Sequence, residues 1–137
     1  MAPRLAPAIG PDNEFFWKGL REHRLLLQRC TECEALRHPP RPMCPSCRSV
    51  SWDAIEASGR GTVYSYVMPL EPKFPYFDYP YIVVLVQLDE GMRLVSNLCG
   101  IDPADVTVGM PVEVYYQTFD NDLVLHQFRP AAQKGNR

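Results

Sequence analysis

Cys30-Thr31-Glu32-Cys33 and Cys44-Pro45-Ser46-Cys47 are two copies of one short pattern, with ten residues between them. Two residues between paired cysteines let both sulfurs face one ion from a tight turn, and two such turns supply a tetrahedron of thiolates. Zinc is the usual occupant of such a set, with iron the spectroscopically distinct second choice. Four ligands leave no open position, so the expected ion is a single structural zinc with no Lewis-acid role. Redox CxxC pairs usually come singly and within a strand–helix–strand pattern, which is absent here. Two disulfides would require an oxidising compartment. Arg29, Arg37 and Arg48 lie around the cluster in sequence, where they would offset its negative charge. Cys99, the fifth cysteine, follows an apolar strand and reads as a small buried hydrophobe.

Working outward, Arg24–Arg29 reads as a short strand entering the first pair, and Val50–Glu56 as a strand leaving the second. The turn between the pairs is His38-Pro39-Pro40-Arg41-Pro42. Upstream, Asp12 or Asn13 can cap a helix running to about His23 that carries Phe15, Phe16, Trp17 and Leu20. Downstream, Gly59-Arg60-Gly61 breaks the pattern, and strand-like runs follow at Thr62–Met68, Tyr81–Leu88, Arg93–Leu98, Pro111–Thr118 and Leu123–Phe128. Asp89-Glu90-Gly91 and Asp120-Asn121-Asp122 suit hairpin turns, and Asp102–Asp105 suits one helical turn. Five short strands with a helical element after the third is the plan of an OB-type barrel, although an SH3-like barrel has a similar strand count. The expected protein is mostly β, with an N-terminal helix, a zinc ribbon and a five-stranded barrel. Its expected divisions are a disordered lead (1–11), helix and ribbon (12–57), barrel (58–130) and a tail (131–137).

The chain has 137 residues, of which 46% are hydrophobic, enough for one core, and its 14 prolines favour short elements over long helices. No stretch approaches the roughly 18 apolar residues of a membrane span. Residues 1–11 lack the apolar run of a signal peptide, which makes the cytoplasm the expected compartment. The net charge of −2 is unevenly spread: residues 1–60 carry nine Lys/Arg against seven Asp/Glu, and residues 61–137 five against nine. An acidic barrel half argues against nucleic acid, whose binding rests on cations neutralising phosphates.

Several segments together are distinctive. They are Phe16-Trp17-Lys18-Gly19-Leu20-Arg21-Glu22, Leu27-Gln28-Arg29-Cys30, Pro39-Pro40-Arg41-Pro42-Met43-Cys44-Pro45, Gly59-Arg60-Gly61-Thr62-Val63-Tyr64-Ser65 and Phe128-Arg129-Pro130. In this order, over about residues 13–130, the chain resembles the bacterial and archaeal zinc-ribbon and OB-fold proteins that accompany thiolases and thiolase-like lipid-transfer proteins. The resemblance implies an N-terminal helix, a rubredoxin-like zinc ribbon and an OB barrel. It also implies a non-catalytic subunit or acyl-CoA-binding partner in a hetero-oligomer with an acyl-CoA enzyme, such as a thiolase, a steroid side-chain aldolase or an acyltransferase.

The residues agree with an accessory role. His23, His38 and His126 fall in different elements, and none has a Ser, Cys or Asp spaced as a nucleophile or relay. Gly59-Arg60-Gly61 is too short for a phosphate loop and enters a strand. Two aromatic segments can meet a partner: the helix with Phe15, Phe16, Trp17 and Leu20, and the Pro69–Pro80 loop with Phe74, Tyr76, Phe77 and Tyr79. Either can instead pack on its own domain. The phosphates of coenzyme A would need cations, which only Arg37, Arg41 and Arg48 of the ribbon can supply. The alternative function is an OB protein that stacks single-stranded nucleic acid on these aromatics.

Overall fold

A computed structural model describes residues 2–132. Helix α1 spans Glu14–Arg21 and buries Phe16, Gly19 and Leu20. Asn13 stands at its N-cap position, but the side chain turns backwards: Oδ1 accepts from the Gly10 amide and Nδ2 donates to the Ala8 carbonyl. The helix stops two residues before the expected His23 because His23 takes a positive φ of 59°, while the His23 and Arg24 amides bond back to the Leu20 and Gly19 carbonyls. Gly19 is where the helix meets the next strand. A Cβ there would lie 2.9 Å from Leu26 Cδ1 and 3.0 Å from the Arg24 carbonyl oxygen.

Strands β1 (Leu26–Cys30), β2 (Leu36–Arg37) and β3 (Trp52–Glu56) form an antiparallel ribbon in the order β2-β1-β3. The barrel follows with β4 (Arg60–Val67), β5 (Ile82–Leu88), β6 (Arg93–Leu98), β7 (Pro111–Thr118) and β8 (Val124–Pro130). A 3₁₀ turn at Pro103–Asp105 separates β6 from β7, with Asp102 Oδ1 accepting the Ala104 amide. The barrel closes in the order β4-β5-β6-β8-β7, and its one parallel contact joins Leu98 to Phe128. A helical turn after the third barrel strand, and pairing of the third strand with the fifth, are the OB arrangement that sequence left open against an SH3-like barrel. Strand β5 buries alternate residues, Ile82, Val84, Val86 and Leu88, as a strand with one face on a core must. Both expected hairpin turns are present, with Gly91 (φ 93°) and Asp122 (φ 61°) in left-handed conformations.

One core runs through both units. Phe16, Leu20, Leu25, Leu27 and Ala57 join Val63, Val84, Val86, Val112 and Phe128 in a single buried cluster. The joint between ribbon and barrel is bonded throughout: the Ala57 amide donates to the Leu25 carbonyl, the Ser58 amide to Glu90 Oε2, and the Val114 amide to the Gly59 carbonyl. Gly59 has φ 84°, and a Cβ there would sit 2.4 Å from Val114 Cγ1, so only glycine fits. Residues 2–10, expected as a disordered lead, form neither helix nor strand, yet they contact the barrel. The Ala2 amide donates to Asp78 Oδ2, and the Arg4 guanidinium lies 4.9 Å from the Phe77 ring centroid. Of the expected tail, the Ala131 amide donates to the Pro111 carbonyl, and residues 133–137 lie outside the described residues.

Candidate metal centre and docking face

Cys30 ends β1, and Cys44 follows the proline-rich turn. Each opens a knuckle of the same design. The Cys30 amide donates to the Ala35 carbonyl and the Glu34 amide to the Cys30 carbonyl; the Cys44 amide donates to the Ser49 carbonyl and the Arg48 amide to the Cys44 carbonyl. Glu34 (φ 66°) and Arg48 (φ 68°) occupy the equivalent left-handed position. The folded knuckles bring all four sulfurs within 4.8 Å of one another, with Cys30 and Cys47 at 3.5 Å and Cys33 and Cys44 at 3.6 Å. A tetrahedral zinc with bonds of about 2.3 Å sets its sulfurs about 3.8 Å apart, so the geometry fits. The first cysteine of each pair is the more acidic. The Cys33 amide lowers the Cys30 thiol, and the Cys47 amide draws the Cys44 thiol down to about 6. Despite the Ala35 and Ser49 amides, Cys33 is raised beside the Cys44 sulfur and Cys47 is pushed up to about 12 beside the Cys30 sulfur. Cys30, Cys33, Cys44 and Cys47 hold one structural zinc.

The arginines around the cluster are not equivalent. Arg37 is 2% exposed, and its Nε and Nη2 donate to the Arg41 carbonyl. It is therefore a ribbon core residue and unavailable to a phosphate, contrary to expectation. A single arginine after Leu36 in a two-residue strand gives no sign of such burial. Arg41 and Arg48 are exposed. Arg29 is held by both carboxylate oxygens of Asp53, at 2.9 and 2.8 Å.

The expected aromatic surfaces also divide. Phe16 (3% exposed) and Leu20 (0%) belong to the core. Phe15 and Trp17 are half-buried; Phe15 packs on Trp52 at 4.8 Å, and Trp17 meets Phe16 edge-on at 5.1 Å. In the loop, Phe77 stacks on Tyr81 at 4.5 Å and Tyr79 meets Tyr81 at 5.1 Å, while the Tyr79 hydroxyl accepts the Phe74 amide. Tyr76, Phe77 and Tyr79 are half-buried, and Phe74 is exposed.

Trp17 opens onto a cleft of about 510 Å³ between the two units, walled by Phe16, His38, Pro39 and Pro40 on one side and by Leu85, Val95 and His126 on the other. Sequence reasoning placed His38 and His126 in separate elements. The fold sets both against the Phe16 ring, at 5.1 and 5.5 Å. Burial lowers both imidazoles to about 4, so they are neutral bases at neutral pH. Arg93 stands at the mouth of the cleft. The outward apolar positions were legible: Ile82–Leu88 is apolar at Val83 and Leu85 as well as on its inner face. The aromatic loop borders a different recess of about 290 Å³ lined by Arg4, Asp78, Asn97 and Phe119, which shares no lining residue with the cleft.

Comparison with known proteins agrees with this architecture. Residues 17–53 match the rubredoxin-like zinc ribbon domain of ChsH2, and residues 54–117 its C-terminal OB-fold domain. A probable enoyl-CoA hydratase alpha subunit of Thermomonospora curvata is 49% identical over 95% of this chain, which spans only 41% of that subunit's length. A DUF35 domain-containing scaffold protein of Pyrococcus furiosus is 36% identical, covering 84% of this chain and 90% of its own. The solved structure of an Ltp2-ChsH2(DUF35) aldolase superposes with a TM-score of 0.88 at 49% identity, over 93% of this chain and all of the matched one. With the two domain models matched in order and a solved relative superposing over nearly the whole chain, the chain belongs to the ChsH2/DUF35 family of zinc-ribbon and OB-fold proteins.

Proposed function

We propose that this chain is a non-catalytic scaffold subunit that docks on a thiolase-like acyl-CoA enzyme. The observation that carries this is the 0.88 superposition, over nearly the whole chain, on a ChsH2(DUF35) component of an aldolase named for two components. The scaffold name of the Pyrococcus furiosus relative points the same way. So does the use of the chain's distinctive chemistry: four cysteines serve a closed metal site, and two of three histidines pack half-buried against a phenylalanine. In this role Phe15 and Trp17 of α1, and Phe74 of the loop, supply aromatic contacts. Arg41 and Arg48 are the ribbon cations that can approach an acyl-CoA phosphate. Against single-stranded nucleic acid stands the excess of carboxylates in the barrel half.

The test is co-expression with a thiolase-fold enzyme encoded beside this chain. The pair should co-elute, and the isolated chain should turn over no acyl-CoA substrate. Trp17→Ala should keep its zinc and melting temperature yet bind about thirtyfold more weakly, as loss of an aromatic anchor commonly does. Phe16→Ala should lower the melting temperature instead. Turnover by the isolated chain, or a partner whose elution and activity ignore it, would refute the proposal.

A further inference from the structure

The outer face of β4, β5 and β6 is apolar without being covered. Val67 and Val95 are each 60% exposed, and with Val83 and Leu85 they form a shallow depression across the three strands. Leu85 and Val95 also line the cleft beside Trp17, so depression and cleft form one continuous surface. Neither lining contains a carboxylate. The one full charge among them is Arg93. Its guanidinium lies 3.8 Å from the Tyr64 ring centroid and its Nε donates to Gln87 Oε1, so it is held in place, but it has no carboxylate partner among the described residues. Arg24, Arg29, Arg60 and Arg129, by contrast, are all paired with carboxylates.

We infer that this face receives an apolar segment of the acyl-CoA enzyme carrying a carboxylate that pairs with Arg93. The inference rests on the scaffold role proposed above and adds the surface and the chemistry of its occupant. A strand face that exposes two valines and two further apolar side chains is a liability in water unless something covers it. A fixed arginine at its edge, in a lining free of acids, selects an occupant of opposite charge. A second copy of this chain is a poor match, because a two-fold contact through this face would bring two Arg93 guanidiniums together. The extent of the surface, from the helix across three strands, suits a protein segment better than a small molecule.

The experiment titrates the purified thiolase-fold partner with wild-type chain, Val95→Asp, Arg93→Glu and Arg93→Met, each first checked for unchanged zinc content and melting temperature. Val95→Asp and Arg93→Glu should each weaken association about tenfold or more. Arg93→Met should weaken it less and flatten its salt dependence, because only the ion pair is lost. Val50→Asp, an equally exposed ribbon position outside both linings, should bind as wild type. If the wild-type chain binds and Val95→Asp and Arg93→Glu bind equally well, the surface is wrong while the scaffold role stands. If the wild-type chain does not bind, the scaffold role itself fails. A wild-type chain that is dimeric alone and monomeric as Val95→Asp would give the face to a second copy and overturn the inference.

Discussion

Glu34 and Arg48 each hold a left-handed backbone conformation that a residue with a Cβ adopts at a cost. The knuckles keep that conformation because each amide chain closes on a cysteine, and the sulfurs converge on one ion. The metal therefore supplies folding free energy to the ribbon. Purified protein should carry about one zinc per chain by elemental analysis, and Cys44→Ser should lose the metal and the ribbon's amide protection. Soluble, folded Cys44→Ser with a protected ribbon would contradict this. The four ligands were legible because zinc demands a strict spacing of one residue type. The strained positions were not, because neither is glycine or asparagine, the usual signals of positive φ. Arg37 was misplaced for a related reason: an arginine announces charge, and only the fold shows that this one is buried, with Nε and Nη2 donating to the Arg41 carbonyl.

Helix α1 binds the two units through its own residues. Phe16 lies between His38 of the proline-rich turn and His126 of β8, and His23 just beyond the helix stacks on Tyr116 of β7 at 4.9 Å. Apart from Arg93 in the cleft lining, the imidazoles have only each other as ionisable neighbours there. Both are lowered by burial from 6.5 to about 4, so the unfolded chain takes up protons before the folded one does. Their contribution to stability is thus complete above pH 6.5 and is lost as pH falls towards 4. The melting temperature of the wild-type chain should fall over that window, and His126→Asn should show a shallower fall across it by calorimetry. Identical pH slopes for the two proteins would refute the role of the seam. At this scale the strands were easier to anticipate than the helix. The apolar, β-branched run Ile82–Leu88 marks a strand at once in sequence, whereas adjacent Phe15, Phe16 and Trp17 do not reveal which ring faces inward until His38 and His126 are placed.

Across the whole molecule, charge and shape separate by region. Residues 1–60 carry nine Lys/Arg against seven Asp/Glu, and the barrel half carries nine Asp/Glu against five Lys/Arg. Aromatic side chains in the barrel's long loop stack on one another, with Arg4 over Phe77 and Lys73 over Tyr79, which leaves few rings and few cations for bases and phosphates. Single-stranded DNA or RNA should therefore bind no more tightly than about millimolar at physiological salt. Micromolar affinity with a steep salt slope in a fluorescence-anisotropy titration would reverse the ranking of functions. The order of elements was legible except for the two-residue strand β2, and the cleft was not, because its walls come from a turn, a helix and three strands far apart in sequence.

The bonded joint at Ala57–Gly59 has a consequence for how this protein can be reused. With the peptide groups there engaged and one core running beneath them, ribbon and barrel form an inseparable cartridge instead of two beads on a string. Such a block can be transplanted whole. Ninety per cent of the length of the archaeal relative, but 41% of that of the longer bacterial subunit, aligns with this one block.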